Sequence, residues 1–342
     1  MLAVASGLTG DRVTLTDVAE HAGVSAAAAS LALRGLAGVA ESTRQRVRAA
    51  AVDLGYRGRG SATEQLTIGL LMKARPHEVG AANAFYGPVM AGITAAAAAL
   101  AVDVRLDSLP VDEHYDPIEV PRLLDAPGID GVLVLGAYLS AESARMLGKR
   151  PVVLVDGYAE DRRHFATVIT DNLDGAHQAT QRLTDLGHRR IAMVGSAPDA
   201  FPSILDRRAG YQRAMAAAGL PTRFVDGHHD EPGDVAERFL AALRSDPQIT
   251  GVVAANDDIA VTIIGELGAR VPAEVSIVGF DDIATASKIR PRLDTVAVDK
   301  AAMGRLAVTM LLHRVNHPRD PSFTAVQPVE LVVRDSSAPP PR

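Results

Sequence analysis

The chain has 342 residues, of which 47% are hydrophobic, so it can bury a large core and is expected to form two or three domains. It contains no cysteine, which excludes a disulfide framework and thiolate metal sites. The Ala-rich run 94–102 is too short to span a bilayer, and residues 1–12 lack the basic start of a secretory signal. We therefore expect a cytoplasmic protein with no membrane partner.

The net charge of −6 excludes a protein that is basic throughout, yet the charge is distributed unevenly. Residues 1–60 carry seven Arg against five Asp or Glu, whereas the remainder carries 28 Lys or Arg against 36 Asp or Glu. Attraction to phosphate depends on local charge, so this favours DNA binding by the N-terminal part over simple solvation of a helix surface. The arginines concerned are Arg34, Arg44, Arg46, Arg48, Arg57 and Arg59.

Three short helices are predicted between residues 13 and 57. Thr14, followed three positions later by Asp17, indicates a capping box, Gly23 ends the first helix, and Ser25 is a good N-cap for the second. The apolar inner faces are Leu15, Val18, Ala19 and Ala22 in the first helix, Ala29, Ala32 and Leu33 in the second, and Val47, Ala50, Ala51 and Leu54 in the third. Two short helices that meet at a glycine turn, supported by a third, predict a helix-turn-helix whose second helix enters the major groove of DNA.

From residue 67 to residue 336 the pattern changes to buried strands alternating with helices. The predicted strands are 66–72, 102–108, 131–136, 151–157, 190–196, 251–257 and 275–282, and the predicted helices are 87–100, 175–188 and 207–220. This alternation predicts an α/β body of two doubly wound parallel-sheet lobes with a cleft between them. We place lobe 1 at about 67–157 plus 290–323, lobe 2 at about 158–289 plus 324–336, a disordered tail at 1–12 and a second tail at 337–342.

Several runs of sequence along the whole chain are similar to those of a known family. In the N-terminal part they are LTDVAEHAGVS, SLALRG and TRQRVRAAAVDLGY. In the body they include NAFYGPVMAGI, PVVLVDG, TDNLDGAHQATQRLTDLGHRRIAMVG and VPAEVSIVGFDDIA. With these runs the chain resembles the lactose-repressor (LacI/GalR) family of transcription regulators. The resemblance implies a helix-turn-helix headpiece joined to a periplasmic-binding-protein-like body.

The resemblance also implies an effector site at the carboxyl ends of the strands, where open α/β sheets bind ligands. Carboxylates and a guanidinium fork suit the paired hydroxyls of a sugar or related polyol, and aromatic rings stack on its apolar face. The residues that match the family's effector-binding positions are Phe85, Tyr86, Asp156, Arg207, Asn256 and Asp281.

Most of these residues also have a simpler interpretation. An Asp at the end of a strand often caps the next helix, Arg207 could form a surface ion pair with Asp206, and Phe85 could belong to the core. His229 lies near a position where the family often has an aromatic ligand contact, but we predict an exposed loop histidine. The sequence shows no metal-ligand spacing, and no motif indicates a cofactor or catalysis.

The headpiece residues expected to contact DNA are Thr14, Ser25, Ala26, Ala27, Ser30, Leu31, Arg34, Arg57 and Arg59. The second helix departs from the family because positions 26–29 are all alanine, whereas the family usually has polar residues at the two positions after the cap and Thr and Val before the Ser. Alanine makes only apolar contacts to bases, so direct readout falls to Ser30, Leu31 and Arg34. The linker 58–66 departs further, since Gly58 and Gly60 oppose the family's hinge helix. We interpret it as a short flexible tether.

Three functions follow from these patterns. The preferred one is a homodimeric transcription regulator, a repressor, that binds a pseudo-palindromic operator and a sugar-like effector. The alternative is a sugar-binding sensor of the same fold whose sequence-specific DNA binding is weakened or lost. An enzyme on this fold is the least favoured, because no nucleophile–base pair can be recognised in the sequence.

Overall fold

The computed structural model describes residues 14–33, 36, 38–54, 66–75, 84–148 and 150–341. Two compact units divide between Gln65 and Leu66. The predicted tail 1–12 and nearly all of the predicted linker lie outside the described residues, as do Arg34, Arg57 and Arg59.

Three helices form the N-terminal unit: α1 (Leu15–His21), α2 (Ala26–Leu33) and α3 (Glu41–Asp53). The predicted capping box is present, since the Thr14 hydroxyl accepts from the Asp17 amide at 3.3 Å and the Asp17 carboxylate accepts from the Thr14 amide at 2.6 Å. Ser25 caps α2 by accepting from the Ala28 amide at 3.2 Å. The buried side chains are those of Val18, Ala19, Ala29, Ala32, Val47, Ala50 and Ala51. The predicted helix-turn-helix scaffold is confirmed.

The body begins with β1 (Thr67–Ala74), α4 (Tyr86–Ala99), β2 (Asp103–Pro110), a 3-10 turn (Arg122–Asp125), β3 (Gly131–Leu135), β4 (Tyr138–Leu139), α5 (Ala141–Met146), β5 (Val152–Val155), β6 (Tyr158–Ala159) and β7 (Ala166–Thr170). The second stretch contains α6 (Asn172–Asp185), β8 (Ile191–Val194), α7 (Pro202–Ala217), β9 (Phe224–Val225), α8 (Pro232–Ser245), β10 (Gly251–Ala254), α9 (Asp257–Leu267), α10 (Arg270–Ala273), β11 (Ser276–Asp281) and β12 (Asp294–Ala297). The chain ends with α11 (Lys300–Asn316), β13 (Thr324–Gln327) and β14 (Glu330–Val332). Every strand and helix predicted in the body is present.

Two six-stranded sheets define the two lobes. The lobe 1 sheet has the order β13-β7-β5-β3-β1-β2, and the lobe 2 sheet has the order β14-β12-β11-β10-β8-β9. All neighbouring strands in these sheets are parallel except β12 and β14. Strands β3, β5, β8, β10 and β11 are buried along their whole length, because helices cover both faces of each sheet. The predicted doubly wound, two-lobed body is confirmed.

The lobe boundaries differ from those predicted. Strand β7 belongs to the lobe 1 sheet although residues from 158 onward were assigned to lobe 2, and β13 also belongs to lobe 1. Strand β12 belongs to the lobe 2 sheet, although 290–323 was assigned to lobe 1. The chain therefore passes between the lobes after β7, after β12 and after β13. Strands of four or five residues carry no local signal that tells which sheet they join, because long-range pairing decides it.

The C-terminal residues are not a free tail. The Ser337 hydroxyl donates to the buried Asp294 carboxylate at 2.6 Å, and the Ala338 carbonyl lies 2.8 Å from Nε2 of His188. These bonds fasten the segment after β14 to lobe 2, so the prediction of a tail from residue 337 is wrong for its first two residues.

Candidate effector site and DNA interface

The guanidinium of Arg207 is the centre of a buried polar network in lobe 2, and its charge also acts on Asp156 of lobe 1. Arg207 lies in the second turn of α7, and its side chain donates to Asn172 Oδ1 at 2.9 Å, to the Ala255 carbonyl at 2.6 Å and to Asp281 Oδ1 at 3.0 Å. The group also stacks on the Phe280 ring at 3.7 Å, and only 5% of the residue is exposed. The alternative of a surface ion pair with Asp206 is therefore wrong. Charge-assisted bonds at three points hold the fork in one orientation.

A second buried pair comes from lobe 1. Asp156 directly follows β5, and its Oδ2 accepts from the Tyr86 hydroxyl at 2.8 Å. Phe85 packs edge-on against the Tyr86 ring with centroids 5.1 Å apart, and it also contacts the lobe 1 core. The structure thus brings Phe85, Tyr86 and Asp156 together, and the positive charge of Arg207 acts on the Asp156 carboxylate.

Burial sets the protonation of the two cleft carboxyls. Desolvation raises the pKa of Asp281 to about 6, although Arg207 and Lys300 oppose the shift. Desolvation also raises the pKa of Asp156, while the Tyr86 hydrogen bond and Arg207 oppose it. Burial together with the adjacent Asp156 raises the pKa of Tyr86 well above its ordinary value. Asp281, with its pKa of about 6, therefore gains or loses its proton only slightly below neutral pH.

We expect the raised pKa of Asp281 to make the protein lose stability as the pH rises from about 4 to about 6. In this window the folded protein holds a proton on Asp281 that the unfolded chain has released, so each pH unit costs at most about 1.4 kcal/mol. Asp281→Asn should remove this part of the slope in urea unfolding measured across the window. Asp335→Asn is the control. Arg292 lowers the pKa of that exposed carboxyl, so Asp335 changes the pH dependence of stability only below about pH 4. An unchanged slope in Asp281→Asn would contradict the assignment.

Asn256 has a structural role at the end of β10. Its Oδ1 accepts from the Ile259 amide at 3.0 Å, which caps α9, and its Nδ2 donates to the His229 carbonyl at 2.9 Å. Asn256 therefore caps α9, a role that was not predicted for it, and its direct contact with the effector stays a prediction. The second bond pins the loop that carries His229, whose ring lies against Tyr115 at 5.7 Å. The prediction of an exposed loop histidine is wrong, because a loop of polar sequence is folded inward by bonds from distant strands.

Sequence reasoning missed the aromatic and cationic groups beside this network. The Lys73 ammonium, near the end of β1, lies 4.3 Å from the Tyr115 ring and 5.7 Å from the Phe201 ring. Phe201 in turn packs edge-on against Tyr115 and Tyr158. The available signal was the position of Lys73 at the carboxyl end of a buried strand, where ligand-binding side chains occur.

Backbone strain also concentrates near the cleft. Five described residues other than glycine have positive φ, and three of them are Tyr115 (66°), Asp156 (46°) and Asp281 (111°). Residues other than glycine adopt a positive φ at an energetic cost, which the surrounding contacts must offset. Strain of this kind is typical of binding sites, because the fold holds the side chains in a fixed direction before the ligand arrives.

The predicted DNA-reading surface lies on α2. Ser25, Ala26 and Ala27 are exposed at its start, whereas Ser30 and Leu31 are half-buried. Thr14 is exposed at the cap of α1. The first turn of α2 therefore presents mainly methyl groups, which can contact thymine methyls but form no hydrogen bonds to base edges.

Comparison with known proteins finds a matching family for both the headpiece and the body. Residues 14–58 match the family described as bacterial regulatory proteins, lacI family, and residues 180–337 match the periplasmic binding protein-like domain. The chain is 30% identical to the HTH-type transcriptional regulator GntR of Pseudomonas aeruginosa, over 96% of this chain and 97% of that protein. The chain belongs to the lacI family of bacterial regulatory proteins.

Solved structures support the lacI-family fold over nearly the whole length. A transcriptional regulator CelR–cellobiose complex matches with a TM-score of 0.66 and 27% identity, covering 95% of this chain and 100% of that one. The Lac repressor dimer bound to operator and an anti-inducer matches with a TM-score of 0.66 and 23% identity, covering 96% and 100%, which shows the fold alone. In the described part of this lacI-family chain, no helix is both long and apolar enough to cross a membrane.

Proposed function

We propose that this lacI-family regulator is a cytoplasmic homodimeric repressor whose affinity for a pseudo-palindromic operator is controlled by a sugar or related polyol bound between the lobes. The observation that carries the proposal is the Arg207 network, in which a fixed guanidinium lies among the carboxyls of both lobes. The proposed control of operator affinity involves no cofactor and no catalytic group. It requires only that the effector bind one arrangement of the lobes better than the other.

The chemistry of the cleft supports a polyol. The carboxylates of Asp156 and Asp281 accept hydrogen bonds from the hydroxyl groups of a polyol, and Arg207 donates hydrogen bonds to the hydroxyl oxygens. The rings of Phe85 and Tyr86 provide an apolar face of the kind on which a sugar ring stacks. The similar regulator CelR was solved with cellobiose, which supports a carbohydrate of this general class.

The helix-turn-helix scaffold of the headpiece supports the proposal of operator binding. Ser25, Ala26 and Ala27 are exposed at the start of α2, which is the end of a recognition helix that reaches base edges. Ser30 and Leu31 follow on the same helix, and the basic residues Arg34, Arg57 and Arg59 remain proposed phosphate or base contacts. Two such headpieces in a dimer would read two half-sites, which gives a pseudo-palindromic operator.

One observation favours a second candidate function. The exposed alanines at positions 26 and 27 offer little direct readout, as expected for a sugar sensor whose sequence-specific DNA binding has weakened. The two candidates are distinguished by the affinity of the full chain for its own upstream DNA and for random DNA at several salt concentrations. A repressor prefers the upstream DNA, whereas a sensor binds both weakly, and a variant lacking residues 1–60 then keeps its ligand affinity and the cellular phenotype.

The effector assignment is tested by thermal shift with a panel of cellobiose, ribose, glucose and gluconate. A cleft ligand raises the melting temperature by mass action. Asp156→Asn keeps the size of the side chain but removes its charge, and we expect it to weaken binding of an active compound roughly 10- to 100-fold. Asp226→Asn, on the exposed surface of lobe 2, is the matched control and should bind as the unsubstituted chain does. Equal binding by Asp156→Asn would remove Asp156 from the site.

A further inference from the structure

A cluster of three side chains joins the two lobes outside the Arg207 network. Arg75, which directly follows β1 in lobe 1, forms an ion pair with Asp230 of lobe 2. The Tyr115 hydroxyl of lobe 1 donates to the same Asp230 oxygen at 2.9 Å, and the Arg75 guanidinium lies 4.3 Å above the Tyr115 ring. Arg75 also donates to the Glu113 carbonyl at 2.9 Å. Each member of the cluster thus contacts both others.

The sheet orders place this cluster opposite the hinge. The chain crosses between lobes at β7 and β13 on one edge of the lobe 1 sheet, and at β12 and β14 on the corresponding edge of the lobe 2 sheet. Arg75 and Tyr115 follow β1 and β2 at the other edge of the first sheet, and Asp230 follows β9 at the other edge of the second. When two lobes rotate about a hinge, the contacts farthest from the hinge separate most. The contacts of this cluster must therefore break when the lobes open.

We propose that Arg75, Tyr115 and Asp230 form an interlobe clasp that holds the cleft closed across its mouth, so that effector exchange requires release of the clasp. The link to effector exchange rests on the proposed function, whereas closure itself rests only on the contacts. The charged side chains of Arg75 and Asp230 are 22% and 15% exposed, which limits screening by solvent and makes the pair stronger than an ion pair at the surface.

The clasp also has polar atoms left to offer a ligand. Arg75 Nε, Asp230 Oδ1 and His229 Nδ1 are buried and have no hydrogen-bond partner among the residues that the structure describes. Unsatisfied buried polar atoms are costly, and a hydroxyl can satisfy two of them at once by accepting from Arg75 and donating to Asp230. A polyol bound in the cleft would therefore strengthen the clasp, which couples occupancy to closure.

The proposal is tested by measuring the distance between the lobes in the full chain without added compound. Because the chain has no cysteine, Glu142→Cys in α5 and Glu237→Cys in α8 place one dye in each lobe of a protomer for single-molecule fluorescence transfer. Mixing with an excess of unlabelled chain leaves one labelled protomer in each dimer. Asp230→Asn and Arg75→Gln should each raise the ratio of open to closed molecules roughly tenfold. Asp226→Asn is the matched control, because its ion pair with Arg208 lies within lobe 2.

A charge exchange makes the result decisive. The double variant Arg75→Asp with Asp230→Arg should restore closed molecules relative to either single charge reversal. Unchanged lobe distances in both Asp230→Asn and Arg75→Gln would overturn the clasp, as would opening in Asp226→Asn to the same degree. The readout uses neither DNA nor effector, so a failed clasp is distinguishable from a failed effector panel or operator assay.

Discussion

Arg207→Met is expected to destabilise the body by about 3–5 kcal/mol at neutral pH and to abolish effector binding. The substitution removes the three hydrogen bonds that the guanidinium donates and leaves the Asp281 carboxyl buried without its cation. Asp156 also loses a nearby positive charge. Losing one partner of a buried ion pair costs more than the pair contributes, because the remaining charge stays desolvated.

The pH dependence of this loss identifies its cause. Arg207 lowers the pKa of Asp281, so its removal raises that pKa further above 6 and widens the pH range in which the folded protein holds a proton there. Urea unfolding should therefore show a smaller loss at pH 4.5 than at pH 7. Arg270→Met, which breaks an exposed pair with Glu274 on the surface of lobe 2, should cost less than about 1 kcal/mol at both pH values. A loss that does not change with pH would indicate that packing, not charge, dominates at Arg207.

The elements of this fold could be predicted from the sequence more fully than their arrangement. The strands that are buried along their whole length have continuous apolar runs, which local pattern recognises. Strands β12 and β13 have four residues each, and they join the sheet of the lobe that was not predicted for them. Strand β13 pairs with β7, more than 100 residues earlier in the chain, and β12 pairs with β11 and β14 of lobe 2. No local pattern records either choice of sheet.

Some residues of the candidate site could likewise be predicted from the sequence, and others could not. Asp156 directly follows buried strand β5 and Asp281 is the last residue of buried strand β11, so their position at the cleft could be inferred from the strand ends and from the family resemblance. His229 and Asp230 lie in a polar loop whose inward position depends on Asn256 in the same lobe and Arg75 in the other. Contacts across a cleft leave no periodicity in the sequence, and the clasp therefore emerges only from the structure.

Gly304→Ala is expected to destabilise the body by about 2–3 kcal/mol, because it overpacks the crossing of α4 and α11 in lobe 1. A Cβ at residue 304 would lie 2.2 Å from the Val89 carbonyl oxygen and 2.8 Å from the Ile93 nitrogen, both in the backbone of α4. Backbone atoms cannot rotate away, so the two helices must separate. The helix-forming preference of alanine offsets only about 1 kcal/mol of this cost.

The same substitution should also weaken effector binding, because α11 begins at the cleft. Lys300 in its first turn donates to the carbonyls of Asp281 and Asp282, so a shift of α11 displaces the end of β11. Gly265→Ala in α9 is the matched control, since its Cβ would meet no atom within 4 Å and the change should stabilise the protein by about 0.5–1 kcal/mol. Opposite signs of the two changes in urea unfolding, with effector affinity lowered only in Gly304→Ala, would tie the helix crossing to the site. Equal and small effects would show that α4 and α11 separate at little cost and that the close approach at Gly304 does not position the cleft.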